Sequence, residues 1–193
     1  MWPLPCRASP AVWACPSEMT GLVMETERLL LRPMTWEDRP AICAILQDER
    51  TMYAYEHPFS EKEVDDWMAR QMKRYETDGF GLWAAVERNS GSLVGQIGLT
   101  LQEWEGKQVP EIGYLLNRRF WGMGYATEGA KACKAYAFET LGLDAVYSII
   151  RDNNLPSQGV ARRNGMHPVG RQIKHYYHMD MPHTVWVALK RGE

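Results

Sequence analysis

Arg119, Gly122 and Gly124 stand at R-x-x-G-x-G spacing inside "RRFWGMGYATEG" (residues 118–129), just ahead of an alanine-rich segment. That pattern suits one kind of chemistry. Glycine lets a ligand come close to the backbone, and the first N–H groups of a helix are unpaired and lie at the positive end of its dipole. Such a turn receives an anion, most often a phosphate. Two nucleotide motifs are excluded by the residues themselves. A P-loop ends in GK[ST], absent here, and a dinucleotide fingerprint needs glycine three after Gly124, where Thr127 stands. The segment behind the turn carries Ala126, Ala130, Cys133 and Ala137 on one helical stripe, which lets it lie close to a sheet.

The elements that must position this turn follow from period and punctuation. Glu27 to Arg32 reads as a strand stopped by Pro33. Thr35 is the expected N-cap of a helix to Gln47, with Ile42, Ile45 and Leu46 on one face. Ser60 and Glu63 form a capping box for a helix to Thr77, with Val64, Trp67, Met68, Met72 and Tyr75 on one face. Strands are expected over Leu82 to Glu87, Leu93 to Trp104 and Val109 to Asn117, with turns at Asn89 to Gly91 and Glu105 to Lys107. A helix from Tyr125 to Leu141 closes at Gly142, and one from Pro156 to Asn164 closes at Gly165. Ala145 to Arg151, Met166 to His175 and His183 to Lys190 complete the strands. The order β-α-α-β-β-β-α-β-α-β-β predicts one α/β (α+β) domain on a mixed, mostly antiparallel sheet, with hairpins followed by a βαβ crossover.

Bulk properties narrow the class. The 193 residues are 45% apolar and 24% charged, values of a globular domain. A net charge of −2 without a long basic run argues against a general nucleic-acid binder. No apolar run approaches the roughly 18 residues of a membrane span. Cys6, Cys15, Cys43 and Cys133 form no CxxC pair and have no His at zinc spacing, so free thiols, no structural disulfide, no metal and a reducing cytoplasmic setting are expected. Residues 1–23, with Pro3, Pro5, Pro10 and Pro16, lack the apolar core of a signal peptide and are expected to be a disordered extension of the 24–193 domain, with Met19 and Met24 as alternative starts.

Three stretches together, "ETERLLLRPMTWED", "EIGYLLNRRFWGMGYATEG" and "RDNNLPSQGVARRNG", resemble the GNAT superfamily of N-acetyltransferases from about Met24 onward. "NNLPSQGVARRNG" is similar to its Rim-type branch, the bacterial N-terminal acetyltransferases of ribosomal proteins. The resemblance implies that the anion is the pyrophosphate of acetyl-CoA, with Arg119, Gly122, Met123, Gly124, Tyr125, Ala126 and Thr127 around it. It also implies a splayed strand pair, Val109 to Asn117 beside Ala145 to Arg151, with pantetheine bonded between them to the backbone of Leu115, Leu116 and Asn117.

The same resemblance places Asn154 on pantetheine and Ser157 near the thiol, as proton donor or hydrogen-bond partner. Many relatives use a tyrosine acid where Ala161 stands, which shifts interest to Ser157. Glu111 is the candidate base, sharing a strand face with Gly113 and Leu115. Ribosomal-type relatives carry a Glu near position 176, where this chain has His175, Tyr176 and Tyr177. Aromatic acceptor contacts are expected from Tyr55, Trp83, His175 and Tyr176. An α-amine of pKa near 7.8 is roughly 10–15% neutral at pH 7 against about 0.04% for lysine, so an α-amine asks far less of a base. The implied acceptor is therefore a protein N-terminal amine. A small amine such as an antibiotic or polyamine, a non-catalytic acyl-CoA-binding domain and an ADP-type nucleotide binder remain as alternatives, and a monomer or a homodimer is compatible with each.

Overall fold

The computed structural model describes residues 21–55, 57–176 and 179–190. Residues 1–20 of the expected extension, with Cys6 and Cys15, lie outside them, as do Tyr177 and His178. The chain already joins the sheet at Val23, whose N–H donates to the Leu31 carbonyl.

The elements are β1 (Met24–Glu25), β2 (Leu29–Arg32), α1 (Arg39–Leu46), α2 (Glu61–Thr77), β3 (Leu82–Glu87), β4 (Leu93–Trp104), β5 (Lys107–Leu116), α3 (Tyr125–Ala135), β6 (Ala145–Arg151), α4 (Leu155–Arg163), β7 (His167–Tyr176) and β8 (Met179–Leu189). The strands form one sheet in the order β1-β2-β3-β4-β5-β6-β8-β7. Every neighbouring pair is antiparallel except β5 and β6. The predicted α/β architecture is thus present, with two differences. The two-residue β1 was not anticipated. β8 begins at Met179 rather than His183, because its ladder with β7 runs on to the pair Tyr176–Met179 through Asp180 and Pro182, residue types that read as loop.

Both sheet faces are covered, which sets what each strand can expose. Met34, Ile42, Leu46, Val64 and Met68 pack with Leu82 and Ala84 under α1 and α2. Trp83 and Ala85, the alternate residues of β3, enter the larger core with Ile97, Ile112, Ala130 and Cys133 under α3. The small stripe of α3 does what its composition implies. A Cβ on Gly129 would stand 2.5 Å from the Ile97 side chain, so glycine there lets the helix rest on β4. Past Ala135 the helix widens, and the Leu143 N–H closes it onto the Ala137 carbonyl with Gly142 at φ 67°. Cys133 is wholly buried in this core and Cys43 half-buried, both as free thiols.

The α2 start matches its sequence signature: Ser60 N–H donates to Glu63 at 2.8 Å, and the Ser60 hydroxyl accepts the Glu63 N–H. Glu63, also beside His57 at 3.0 Å, is held down to a pKa of about 2 by these bonds. Ser60→Ala is expected to remove about 1 kcal/mol and lower Tm by roughly 2–4 °C without altering ligand affinity. A melting curve superimposed on the wild type would show that this cap carries no stability.

Candidate active site

The glycine turn is built from both ends. β5 finishes at Leu116, and the Asn117 side chain accepts the Arg119 N–H at 3.0 Å, starting a single helical turn over Arg118–Phe120. Trp121 Nε1 donates back to the Leu116 carbonyl at 2.9 Å. Gly122 (φ 76°) and Gly124 (φ 87°) then take left-handed conformations, with Gly124 as the N-cap of α3. The first backbone bond of α3 runs from Glu128 N–H to the Gly124 carbonyl, so the amides of Tyr125, Ala126 and Thr127 lack helical partners at the cleft wall.

A clamp absent from the sequence reading fixes this turn from the far edge of the sheet. Glu128 receives the Thr26 hydroxyl at 2.6 Å, the Arg28 N–H at 2.8 Å and Arg28 Nε at 2.7 Å. Arg28 Nη1 also donates to the Met123 carbonyl at 2.9 Å, and the guanidinium lies over the Tyr125 ring, 4.6 Å from its centre. The bonds from Thr26 and Arg28 hold the Glu128 carboxyl below its ordinary range although burial opposes them. A first-turn carboxylate that would repel an anion is thereby neutralised. Arg163 of α4 donates to the Thr127 hydroxyl at 3.2 Å, adding a second cation beside the turn.

β5 and β6 share a single registered pair, Glu111–Tyr147, and the ladder does not continue on either side. Side chains take over there. Glu111 Oε1 accepts the Ile149 N–H at 2.8 Å, and the Ser148 hydroxyl donates to the Ile112 carbonyl at 2.9 Å. The opening is part of a cleft of about 1010 Å³ that reaches the glycine turn. Leu116 at the turn stands five residue steps along β5 from Glu111, roughly 17 Å at strand rise.

Leu115, Leu116, Gly122, Gly124, Tyr125, Ala126, Thr127, Asn154, Ser157, Glu111 and Tyr55 all line this cleft, so most of the sequence-predicted residues converge. Asn117, Arg119 and Met123 belong to the turn without lining the cleft. Two acceptor expectations do not stand as made, and a third cannot be placed. Trp83 is 1% exposed and packs edge-on against Tyr136 in the core, because β3 is covered on both faces. His175 lies off the cleft and pairs with Asp180 across the β7–β8 hairpin at 2.5 Å. The Tyr176 side chain is outside the described residues.

Other groups enter the site unannounced. The Tyr114 hydroxyl donates to the Ser157 carbonyl at 2.9 Å, and burial pushes that phenol far above its ordinary range, leaving it a protonated donor. Asn154 Oδ1 accepts both the Ser157 N–H at 3.2 Å and the Tyr53 hydroxyl at 2.7 Å. His183 Nδ1 bonds the Met181 carbonyl at 2.8 Å, and burial lowers its pKa toward a neutral ring. Burial likewise raises the Glu111 carboxyl, opposed by Lys174, the Ile149 N–H and Arg74. Among the described residues no three His, Cys, Asp or Glu side chains converge as a metal site.

The comparisons agree with this geometry. The model of the acetyltransferase (GNAT) domain matches residues 28–167. The chain is 34% identical over 146 residues to the uncharacterized protein YkkB of Bacillus subtilis, covering 74% of this chain and 83% of that one. It is 27% identical to the uncharacterized N-acetyltransferase YnaD of the same species, over 75% and 82% of the two chains. A solved ribosomal L7/L12 alpha-N-protein acetyltransferase in complex with coenzyme A is similar in fold, with TM-score 0.71 at 18% identity over 88% and 98% of the chains.

Gly124→Val is expected to weaken coenzyme A binding at least tenfold. A β-branched residue at φ 87° is strained, and its Cβ would stand 3.3 Å from Arg28 Nη2 at the place where the anion must approach. Calorimetric titration with coenzyme A checks this, and wild-type affinity would remove the turn from the binding site.

Proposed function

Because the chain belongs to the GNAT acetyltransferase family and is an acetyl-CoA-dependent N-acetyltransferase, we propose that its acceptor is a protein N-terminal α-amine and that Glu111 is the base. The observation that carries the reading is the Glu111 carboxylate in the β5–β6 opening, oriented by the Ile149 N–H. It is the only acidic side chain on the cleft wall among the described residues. A polyamine or aminoglycoside-type acceptor brings several positive charges and calls for several carboxylates, whereas one α-amine calls for one. Tyr55 packs edge-on with Phe59 and Trp67, at 6.1 and 6.3 Å, giving a broad apolar wall suited to the residues behind an N-terminus.

The steps follow from these positions. Acetyl-CoA places its pyrophosphate on the amides of Tyr125, Ala126 and Thr127, and its pantetheine along Leu115–Asn117 as an added strand. Asn154 bonds the pantetheine arm. Glu111 takes a proton from the ammonium, directly or through one water. The neutral nitrogen attacks the thioester carbonyl, which a backbone N–H at the end of β5 polarises. The C–S bond breaks with its electron pair going to sulfur, the Ser157 hydroxyl hydrogen-bonds the departing thiolate, and the extra proton on the acylated nitrogen passes to that thiolate, leaving the amide and the free thiol. The cytoplasm, where acetyl-CoA and new N-termini are both present, is the compartment this reading assigns.

Free-thiol release with N-terminal peptides against polyamines and aminoglycosides tests the acceptor, and turnover confined to the polycations would overturn it. Glu111→Gln is expected to lower kcat about 10²-fold. Burial raises the Glu111 pKa, so wild-type kcat should fall as pH drops through a value above the ordinary 4.5. That acid limb should vanish in Glu111→Gln, and a surviving limb would assign the base elsewhere. Ser157→Ala should reduce kcat by roughly tenfold or more while the acetyl-CoA Kd moves less than twofold, and an unchanged kcat would end its role.

A further inference from the structure

Arg70, Arg74 and Lys174 also line the cleft, on the side where α2 and β7 face Glu111. Arg70 and Arg74 are one turn apart on α2, so their guanidinium groups share a face and each disfavours the other. Arg74 is half-buried and its pKa is pulled down chiefly by that burial, with Asp78 and Glu111 opposing. Arg70 lies over the Trp67 ring, 5.6 Å from its centre. None of the three is in an ion pair among the described residues, although ten such pairs form elsewhere.

Three cations against the single carboxylate on this cleft wall leave a positive surplus that repels an arriving ammonium and that a folded chain gains nothing by concentrating. An acceptor that brings its own negative charge removes both costs. The glycine turn and Arg163 already serve the phosphates at the other end of β5, so these three cations are not needed there.

We infer that the acceptor carries a carboxylate close to its reactive amine, received by Arg70, Arg74 and Lys174. Resting on the N-terminal reading above, this makes the substrate a protein N-terminus with Asp or Glu in its first few residues. The carboxylate binds beside Trp67 while the amine faces Glu111. The lysine-rich and arginine-rich N-termini are excluded by the same charges.

The test is steady-state thiol release by the full chain with acetyl-CoA and four acceptors: an Ala-Asp-Asp peptide, an Ala-Ala-Ala peptide, an Ala-Lys-Lys peptide, all C-terminally amidated, and free alanine. The acidic peptide is expected to exceed the neutral one at least tenfold in kcat/KM, the basic one to fall below it, and the difference to shrink with salt. Arg70 is exposed, so Arg70→Glu preserves folding and should reverse the order toward the basic peptide. Equal rates for acidic and neutral peptides, or an unchanged ratio in Arg70→Glu, overturn the carboxylate inference and leave N-terminal acetylation standing. Turnover of free alanine at the expense of every peptide keeps the carboxylate and overturns the protein acceptor. Silence toward all four overturns both.

Discussion

The site exists because β5 and β6 pair at one point. A parallel pair that continued would occupy every backbone group with a neighbour and leave no room for a ligand. Here the Glu111 carboxylate takes the Ile149 N–H and the Ser148 hydroxyl reaches the Ile112 carbonyl, so the strands stay near each other without closing. Unpaired backbone in a sheet interior is costly, and side chains meet that demand on one side of the opening. The other side, along Leu115 and Leu116, is left for a chain-like ligand with amides of its own. The residue proposed as the base also bridges the split.

The second requirement is that the glycine turn keep its shape with no ligand in it. Two left-handed glycines are flexible by nature, and a mobile turn would surrender binding energy to ordering. Thr26 and Arg28 answer this from the β1–β2 turn, about a hundred residues earlier, by holding Glu128 and the Met123 carbonyl. Arg28 belongs to the same opening stretch whose residues resemble the family's first strand. Its contact with the turn gives that stretch a purpose beyond edge pairing.

Local chemistry was readable from the chain and long-range convergence was not. Ser60 with Glu63, Gly142 after α3 and Gly124 before it act within a few residues, and each stands where its type implies. The strand alternation that put Glu111 on the cleft face also holds, because β5 borders the opening. The aromatic expectation fails at Trp83, since β3 is covered by helices on both faces and that side chain packs in the core. Arg28 with Glu128, Tyr53 with Asn154 and Lys174 beside Glu111 join residues that only the fold brings together. No spacing rule links them.

Charge then varies along one continuous cleft. The turn is positive through backbone amides and Arg163, the middle carries Glu111, and the α2 side is positive again through Arg70, Arg74 and Lys174. Acetyl-CoA is anionic at one end and neutral along pantetheine, so it fits only one way round. On the proposed reading the acceptor meets the opposite side, where an isolated ammonium is repelled and the carboxylate it would reach is Glu111. Lys174 and Arg74 also set how basic Glu111 is, because they oppose the burial that raises it. If an acceptor's own anion neutralises part of that positive field, burial weighs more and the carboxylate becomes a stronger base once the substrate is seated. Recognition of the acceptor's charge and activation of its amine are, on this geometry, one electrostatic event.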